Sequence, residues 1–505
     1  MSTQTPPQAA APDCRVHRLA RCMTDGRISG CSMTGKTTGT MRVDGGSMSA
    51  TGLMISTLFA IALLINAAMP ALGMKESSAA CTLVLAMLGV VALVRARPVF
   101  SISMLYVLAI GLTAFLAGVG LENGGYLRET DITGEATGAF SRLLTFYLIF
   151  VACAWVAFER FLDERPGRET IVARLSRQPV SVIVGFGLAF AVIVVGVLAG
   201  LTSGFSMFTG INRYALRNDA SNGAMFNLFL NNQTFVGLLL GTIATNTDKR
   251  IRWLAIVTMA VDLALNVLHG EQFMAVLHIG LCTLTPFIAL HAMNGKPVVR
   301  YLGIGAGLAL LLGTVSIIYA YRGQGLEVAD VISSRFLLQG QPWYVVDSDA
   351  GMFSPPMYGG IDAFWRFVHS LGSWTMPTFF SDAEPSGLRD LMMSYTEPKL
   401  LKAYIFDDVT FTMGNMAIPV YWFGYVGGAL FVAMTGLVYG ALGALQIQVA
   451  MRGGVVMLWL MSKVFSYATF AVQQGEYWMM FGSRTLFYAV LALLWWYCVD
   501  KRTAN

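Results

Sequence analysis

Charge is what this sequence has least of. Asp, Glu, Lys and Arg make up 12% of its 505 residues, about half the share of a soluble domain. Histidine occurs only five times and cysteine seven. Cys14, Cys22 and Cys31 have no histidine pair beside them, and Cys81, Cys153, Cys282 and Cys498 stand inside apolar runs. Neither a zinc site nor an extracytoplasmic disulfide framework follows from that distribution. A P-loop, a dinucleotide fingerprint, a zinc-protease helix motif and a nucleophile elbow are all missing. These absences argue against nucleotide-driven chemistry, and no cofactor is expected. They also exclude a nucleic-acid-binding module, a disordered chain and an ordinary cytosolic enzyme. What is abundant is apolar length: 55% of the residues are hydrophobic.

Stretches of about 20 predominantly apolar residues, long enough to cross a bilayer, recur twelve times along the chain. They run at about 51–73, 78–94, 98–119, 140–158, 179–201, 225–245, 251–268, 273–290, 301–320, 416–444, 454–472 and 481–499. The expected fold is an all-α polytopic membrane bundle of about twelve transmembrane helices, occupying 48–505. Residues 1–47 read as a Ser/Thr/Gly-rich disordered cytoplasmic tail, which a start at Met48 would omit.

Basic residues orient the spans, since cytoplasmic connections are enriched in Lys and Arg. With the N-terminus inside, thirteen fall on inner connections (Arg95, Arg97, Arg160, Arg165, Arg168, Arg174, Arg177, Lys249, Arg250, Arg252, Lys296, Arg300, Arg452). Six fall on short outer ones: Lys75, Arg128, Arg142, Arg213, Arg217 and Arg484. Both termini are therefore expected in the cytoplasm. Residues 321–415 then form one large outer loop. Its six prolines and many aromatic residues argue for a folded cap, with short amphipathic helices expected at Asp362–Leu371 and Ser386–Tyr395.

Arginines on the outer side run against the positive-inside bias and are the leading functional candidates. Arg213 and Arg217 stand four apart, on one helix face; Arg322 follows the ninth span and Arg335 lies in the large loop near Gln339. A guanidinium stays charged and presents a fork of donors that matches phosphate oxygens. Salt bridges to acidic residues or head groups are the plainer reading, and Arg322 could simply snorkel. Candidate proton acceptors are His269, Glu271, Asp347, Asp349 and His369, because transfer to a hydroxyl needs a base within reach. Asp347 and Asp349 could also ligate a divalent cation, but so short an acidic pattern is common, and no metal is assigned. Asp262 and Lys463 lie within spans, where each costs on the order of 3 kcal/mol to insert; they could pair with each other. Asn227, Asn231, Asn232 and Gln233 form a polar patch in the sixth span, with hydrogen bonding between helices as its simplest role.

The plan of many spans with one large late outer loop resembles the bacterial O-antigen and exopolysaccharide repeat-unit polymerases, which are related to the O-antigen ligases. The resemblance covers about residues 140–445 and rests, besides that plan, on three sequence features. These are Arg213 with Arg217, Arg335 with Gln339 and Gly340, and the run Tyr421-Trp-Phe-Gly-Tyr-Val-Gly-Gly428. It implies a glycosyltransferase of the inner membrane, acting at its periplasmic face. A glycan chain would pass from undecaprenyl pyrophosphate to the next lipid-linked oligosaccharide unit, with Arg213, Arg217, Arg322, Arg335 and Gln339 on the pyrophosphate. The lipid bilayer and a chain-length regulator are the implied partners. His369 keeps the ligase reaction open, since ligases use a histidine of the large loop. A lipid-linked oligosaccharide flippase or another transporter competes, because twelve spans with both termini inside is also a carrier plan.

Overall fold

The computed structural model describes residues 60–162, 173–209, 223–270, 273–294, 328–375, 377–380, 384–406, 410–411 and 413–500, with 298, 301–305, 307, 311 and 314–315 between them. Helices dominate. Leaving aside four-residue turns of helix, the longer ones begin with α1 (Lys75–Ala96), α2 (Pro98–Glu122), α3 (Ala139–Phe161) and α4 (Pro179–Ser203). There follow α5 (Gly223–Asn231), α6 (Gln233–Ile243), α7 (Lys249–Leu268) and α8 (Phe273–Met293). Five shorter helices come next: α9 (Val328–Leu337), α10 (Gln341–Asp349), α11 (Ile361–Ser370), α12 (Leu388–Tyr395) and α13 (Pro398–Phe406). The chain closes with α14 (Ala417–Arg452), α15 (Val455–Gln474) and α16 (Ser483–Trp495). Two-residue strands β1 (Tyr126–Leu127) and β2 (Ile132–Thr133) pair antiparallel between α2 and α3.

Eight of the described helices are long and apolar enough to cross a membrane: α1, α2, α3, α4, α7, α14, α15 and the stretch Trp478–Cys498 that contains α16. Four of the expected spans do not appear in that form. The stretch 225–245 is divided at Asn232, whose φ of −107° and ψ of 3° end α5 before α6 begins. The apolar part of α8 is a shorter helix, His278–Met293. Of 51–73 and 301–320, much lies outside the described residues, as does the tail 1–47.

The outward faces explain why such a bundle belongs in lipid. Val84 on α1, Val180, Ile183 and Phe190 on α4, Leu254 and Val257 on α7, and Leu486 and Leu493 on α16 are all exposed. Apolar surface on that scale marks contact with a membrane or a partner. Inside, α2, α3 and α14 share a core of aromatic and small residues. Gly436 and Gly440 lie four apart on α14 and bring it against the carbonyls of Phe150 and Ala154. A methyl at Gly436 would stand 2.6 Å from the Phe150 oxygen, so small residues set the helix spacing.

Connections sort to two ends, as alternating spans require. At one end Arg97 reaches Glu159 (3.7 Å), the Asn246 amide donates to the Ser176 carbonyl (2.6 Å), and Gln448 donates to the Phe161 carbonyl. At the other, residues 120–138, the described residues of 328–406, and 475–483 pack on one another as a cap. Helices α11 and α12 coincide with the two amphipathic stretches expected from the sequence.

The cap is stitched to α14 through a break in that helix. Gly424 has φ 68° and ψ −171°, a conformation open essentially to glycine. The amides that the break frees find new acceptors: Tyr425 N–H donates to the Gly351 carbonyl (3.1 Å) and Val426 N–H to the Met352 carbonyl (3.0 Å). In return Gly360 N–H donates to the Tyr421 carbonyl (2.9 Å). A Cβ at Gly424 would also lie 2.8 Å from the Ser354 oxygen. Gly424→Ala should therefore destabilise the protein by about 1–3 kcal/mol, the strain of a disallowed backbone, read as a lowered melting temperature in detergent. Gly454→Ala, where an added methyl meets nothing within 4 Å, should melt within a degree or so of wild type. Equal melting of the two variants would contradict this account of the break.

Candidate functional site

Tyr421 and Tyr425 stand on either side of the Gly424 break, and each reaches an arginine–aspartate pair under the cap. On the Tyr425 side, Asp347 of α10 has a side chain only 1% exposed. So buried a carboxylate needs a partner, and Arg142, on the first turn of α3, supplies it. Arg142 Nε donates to Oδ1 at 2.8 Å and Nη2 to Oδ2. Tyr425 donates its hydroxyl to the same Oδ1 at 2.8 Å. This fork leaves Arg142 Nη1 uncommitted on a side chain that is 38% exposed. A guanidinium fixed on one edge and open on the other is suited to an anionic ligand.

Local structure holds that pair in place. Trp343 donates its indole N–H to the Ala139 carbonyl (2.8 Å), and its ring packs on Phe146. The Tyr344 hydroxyl accepts from the Glu135 amide (2.6 Å). Glu122, at the end of α2 and 3% exposed, aims its carboxylate at the first amides of α3 and toward Arg142, completing no hydrogen bond there.

On the Tyr421 side, Arg366 of α11 donates to Asp390 of α12 at 2.7 Å. Burial pushes the Asp390 carboxyl above its ordinary value, and Arg366 and Tyr421 pull it back. Tyr421 donates to the Tyr358 carbonyl (2.6 Å) and shares a hydrogen bond with Ser394 (3.1 Å). Close by, Tyr395 donates to Asp349 Oδ2 at 3.1 Å and meets the Tyr358 ring edge-on. Asp349, Tyr358 and Trp365 are exposed.

A third group ties the β1–β2 turn to the loop helices. Glu129 accepts from Tyr404 (2.7 Å) and from Gln341 (3.1 Å), with Arg335 near enough to act on its charge. Burial nonetheless raises the Glu129 carboxyl above its ordinary value, outweighing those three influences.

The residues singled out from sequence fare differently. Asp347, Asp349, Arg335 and Gln339 lie on or between α9 and α10, at the cap end. Asp347 is engaged by Arg142, whereas Asp349 and Arg335 are exposed. The Gln339 side chain donates to the Arg335 carbonyl (2.9 Å). His369 is exposed on α11, with its ring near Trp365. His269 is 1% exposed, donates to the Gly196 carbonyl (2.9 Å) and is walled by Phe205, Phe226 and Phe229. It serves packing at the end of α7. Arg213, Arg217, Arg322 and Glu271 lie outside the described residues. No three His, Cys, Asp or Glu side chains among the described residues are grouped to hold a metal.

Lys463 does not pair with Asp262. Its ammonium donates to the Asn231 carbonyl and to Asn232 Oδ1 (3.0 Å), at the break between α5 and α6.

Four participants escaped the sequence reading: Arg142 beyond its count as a basic residue, Arg366, Asp390 and Glu129. An arginine opening an apolar run was the available signal for Arg142. The other three carry no local pattern, because their partners are 24 to 275 residues away.

Residues 381–489 match DUF6418, a family of unknown function. The matched segment contains Asp390, Tyr421, Gly424, Tyr425 and Lys463. No curated protein and no solved structure matches the chain.

The Glu129 environment fixes a pH dependence. A carboxyl raised in the folded state binds more protons there than in the unfolded chain. Stability therefore falls as pH rises from about 4.5, its ordinary value, through the raised one. Thermal melting across that window should show the decline in wild type and lose part of it in Glu129→Gln. An identical pH profile in the variant would contradict the assignment.

Proposed function

We propose that this chain is a polymerase of lipid-linked oligosaccharide repeat units, working where the cap meets the outer ends of the spans. The observation that carries the reading is the Arg142–Asp347–Tyr425 group, a half-exposed guanidinium held rigid over a bundle of membrane-crossing helices. Such a group suits a substrate with a pyrophosphate at its polar end and a long apolar tail. Arg142 Nη1 and the exposed Arg335 take the pyrophosphate oxygens, and Arg213, Arg217 and Arg322, assigned from the sequence alone, add charge. Gln339 holds the chain between α9 and α10 in register. On this reading both termini lie in the cytoplasm of a bacterial cell and the cap is periplasmic.

The chemistry divides between the two sides of the helix break. A hydroxyl oxygen of the acceptor unit attacks the anomeric carbon of the donor glycan. The bond from that carbon to the pyrophosphate oxygen breaks, and the pyrophosphate leaves with the electron pair. Arginines positioned beforehand stabilise the charge that develops on it. Asp349 takes the acceptor proton; it is the exposed carboxylate of the group, whereas Asp347 is committed to Arg142 and acts as a positioning residue. Tyr358 and Trp365 offer exposed rings against which sugar faces can pack, and Arg366 with Asp390 offers donors and acceptors for hydroxyls. His369, on the same helix as Trp365, is the residue that a ligase reaction would use.

Arg335→Ala and Asp349→Asn alter exposed side chains and should leave the fold intact. Each should lower polymer formation about a hundredfold, the usual effect of removing one charge-stabilising donor or a proton acceptor. Cells should then accumulate single repeat units. Arg142→Lys, which keeps the charge but loses the fork, should fall between wild type and Arg142→Ala. Full-length polymer from both Arg335→Ala and Asp349→Asn would refute the reading.

A further inference from the structure

The break between α5 and α6 sits far along the chain from the cap residues, and its polar groups take no part in the chemistry above. Asn232 ends one half-helix and Gln233 starts the next. Each half therefore brings a dipole end into the apolar layer: carbonyls from α5, amides from α6. Lys463, 7% exposed, answers the carbonyl end through Asn231 and Asn232. On the α7 side stand Asp262, 2% exposed, and Asn266, fully buried. The Gln233 side chain lies beside the Asp262 carboxyl and donates to the Phe229 carbonyl (3.3 Å), and the Asn266 amide donates to Gln233 Oε1 (2.9 Å) and to the Asp262 backbone carbonyl (2.8 Å).

Two atoms in this group are left over. Asp262 Oδ1 and Asn266 Oδ1 are buried and have no hydrogen-bond partner. Both are acceptors, so what the site lacks is a donor. A buried polar atom left unpaired costs about 1–3 kcal/mol, and more when it is charged. Asp262 and Asn266 are four residues apart and share one face of α7. A single proton on the Asp262 carboxyl would remove one unmatched acceptor and supply the donor that the site lacks. A sodium ion would need a full shell of oxygens, and two are free.

The titratable groups around Asp262 are turned elsewhere: His269, at the end of α7, faces the Gly196 carbonyl and the rings of Phe226 and Phe229. Helices α4, α5 and α6 carry no titratable side chain. On α8, His278 and Cys282 are turned to each other and to Thr234, and Lys463 is turned to Asn231 and Asn232. On α7 itself, Lys249, Arg250 and Arg252 occupy the far end of the helix. With its proton removed, the Asp262 carboxylate would face the first residue of α6, where a helix N-terminus favours negative charge. Both protonation states therefore have a structural answer. Discontinuous helices with polar residues at such depth are where membrane proteins bind ions and protons.

We propose that Asp262 is an intramembrane proton-binding site, with Gln233 and Asn266 as its partners and the α5–α6 break as the element that its protonation biases. The test uses the full chain in lipid nanodiscs and dicyclohexylcarbodiimide, a lipid-soluble reagent that adds to protonated carboxyl groups in apolar surroundings. The acid adds across one C=N bond, and the acyl group migrates to nitrogen to give a stable N-acylurea. Mass spectrometry of the peptides should find Asp262 labelled near neutral pH, with labelling lost as pH rises. Replacing choline chloride with sodium chloride should leave the labelling unchanged. Gln233→Ala and Asn266→Ala should each move the pH midpoint by about one unit, a tenfold change in proton affinity, which a merely structural contact would not do. Asp262 unlabelled at every pH in the folded protein would overturn the proposal. Protection by sodium would overturn it too, and would assign the oxygens to that ion.

Discussion

The break at Gly424 is the constraint on which the rest of the cap end depends. An apolar helix entering a membrane has no water to satisfy its backbone, so an interruption is tolerated only where protein supplies new partners. Here the Gly351 and Met352 carbonyls take the freed amides, and the Tyr421 carbonyl takes an amide in return. Loop and span thereby fix one another. The same break sends Tyr421 and Tyr425 to different sides, so that each hydroxyl meets a different arginine–aspartate pair. Straightening the helix would separate Tyr425 from Asp347 and leave the buried carboxylate with one partner fewer.

The two pairs do unequal work. Asp347 is sealed from solvent while Arg142 is partly open, so the aspartate orients the arginine and the arginine meets whatever arrives from outside. Arg366 and Asp390, 29% and 13% exposed, both retain some access while joining α11 to α12. Arg389 and Glu476, each 5% exposed and 3.7 Å apart, extend that link to the turn before α16. Removing one partner from a buried pair costs about 3–5 kcal/mol, so Arg389 and Glu476 tie α12 firmly to that turn.

Much of the architecture was legible in the sequence, for a physical reason. Spans such as 98–119 and 454–472 announce themselves because lipid demands an unbroken apolar run, and α2 and α15 occupy them. The amphipathic α11 and α12 were readable from their periodicity. The divided span at 225–245 was not, since its hydropathy is that of a continuous helix and only Asn231, Asn232 and Gln233 hint at the interruption. The site was legible in part. Asp347, Asp349, Arg335 and Gln339 stood out because polar residues are conspicuous in an aromatic loop, and all four lie at the cap end. The burial of His269 was not legible, because a histidine beside a glycine at a span end looks the same whether it faces water or three phenylalanines. Arg366, Asp390 and Glu129 became meaningful only through partners that folding brings near.

On the proposed reading, the cap end lengthens a glycan on a lipid pyrophosphate. The most direct measurement supplies the purified protein in lipid vesicles with one defined polyprenyl-pyrophosphate oligosaccharide and follows the products by mass spectrometry. The expected result is a lipid carrying two repeat units, with free polyprenyl pyrophosphate released in equal amount. Repeat units that stay single while moving from one leaflet to the other, detected with a probe confined to one side, would contradict it and make the protein a transporter.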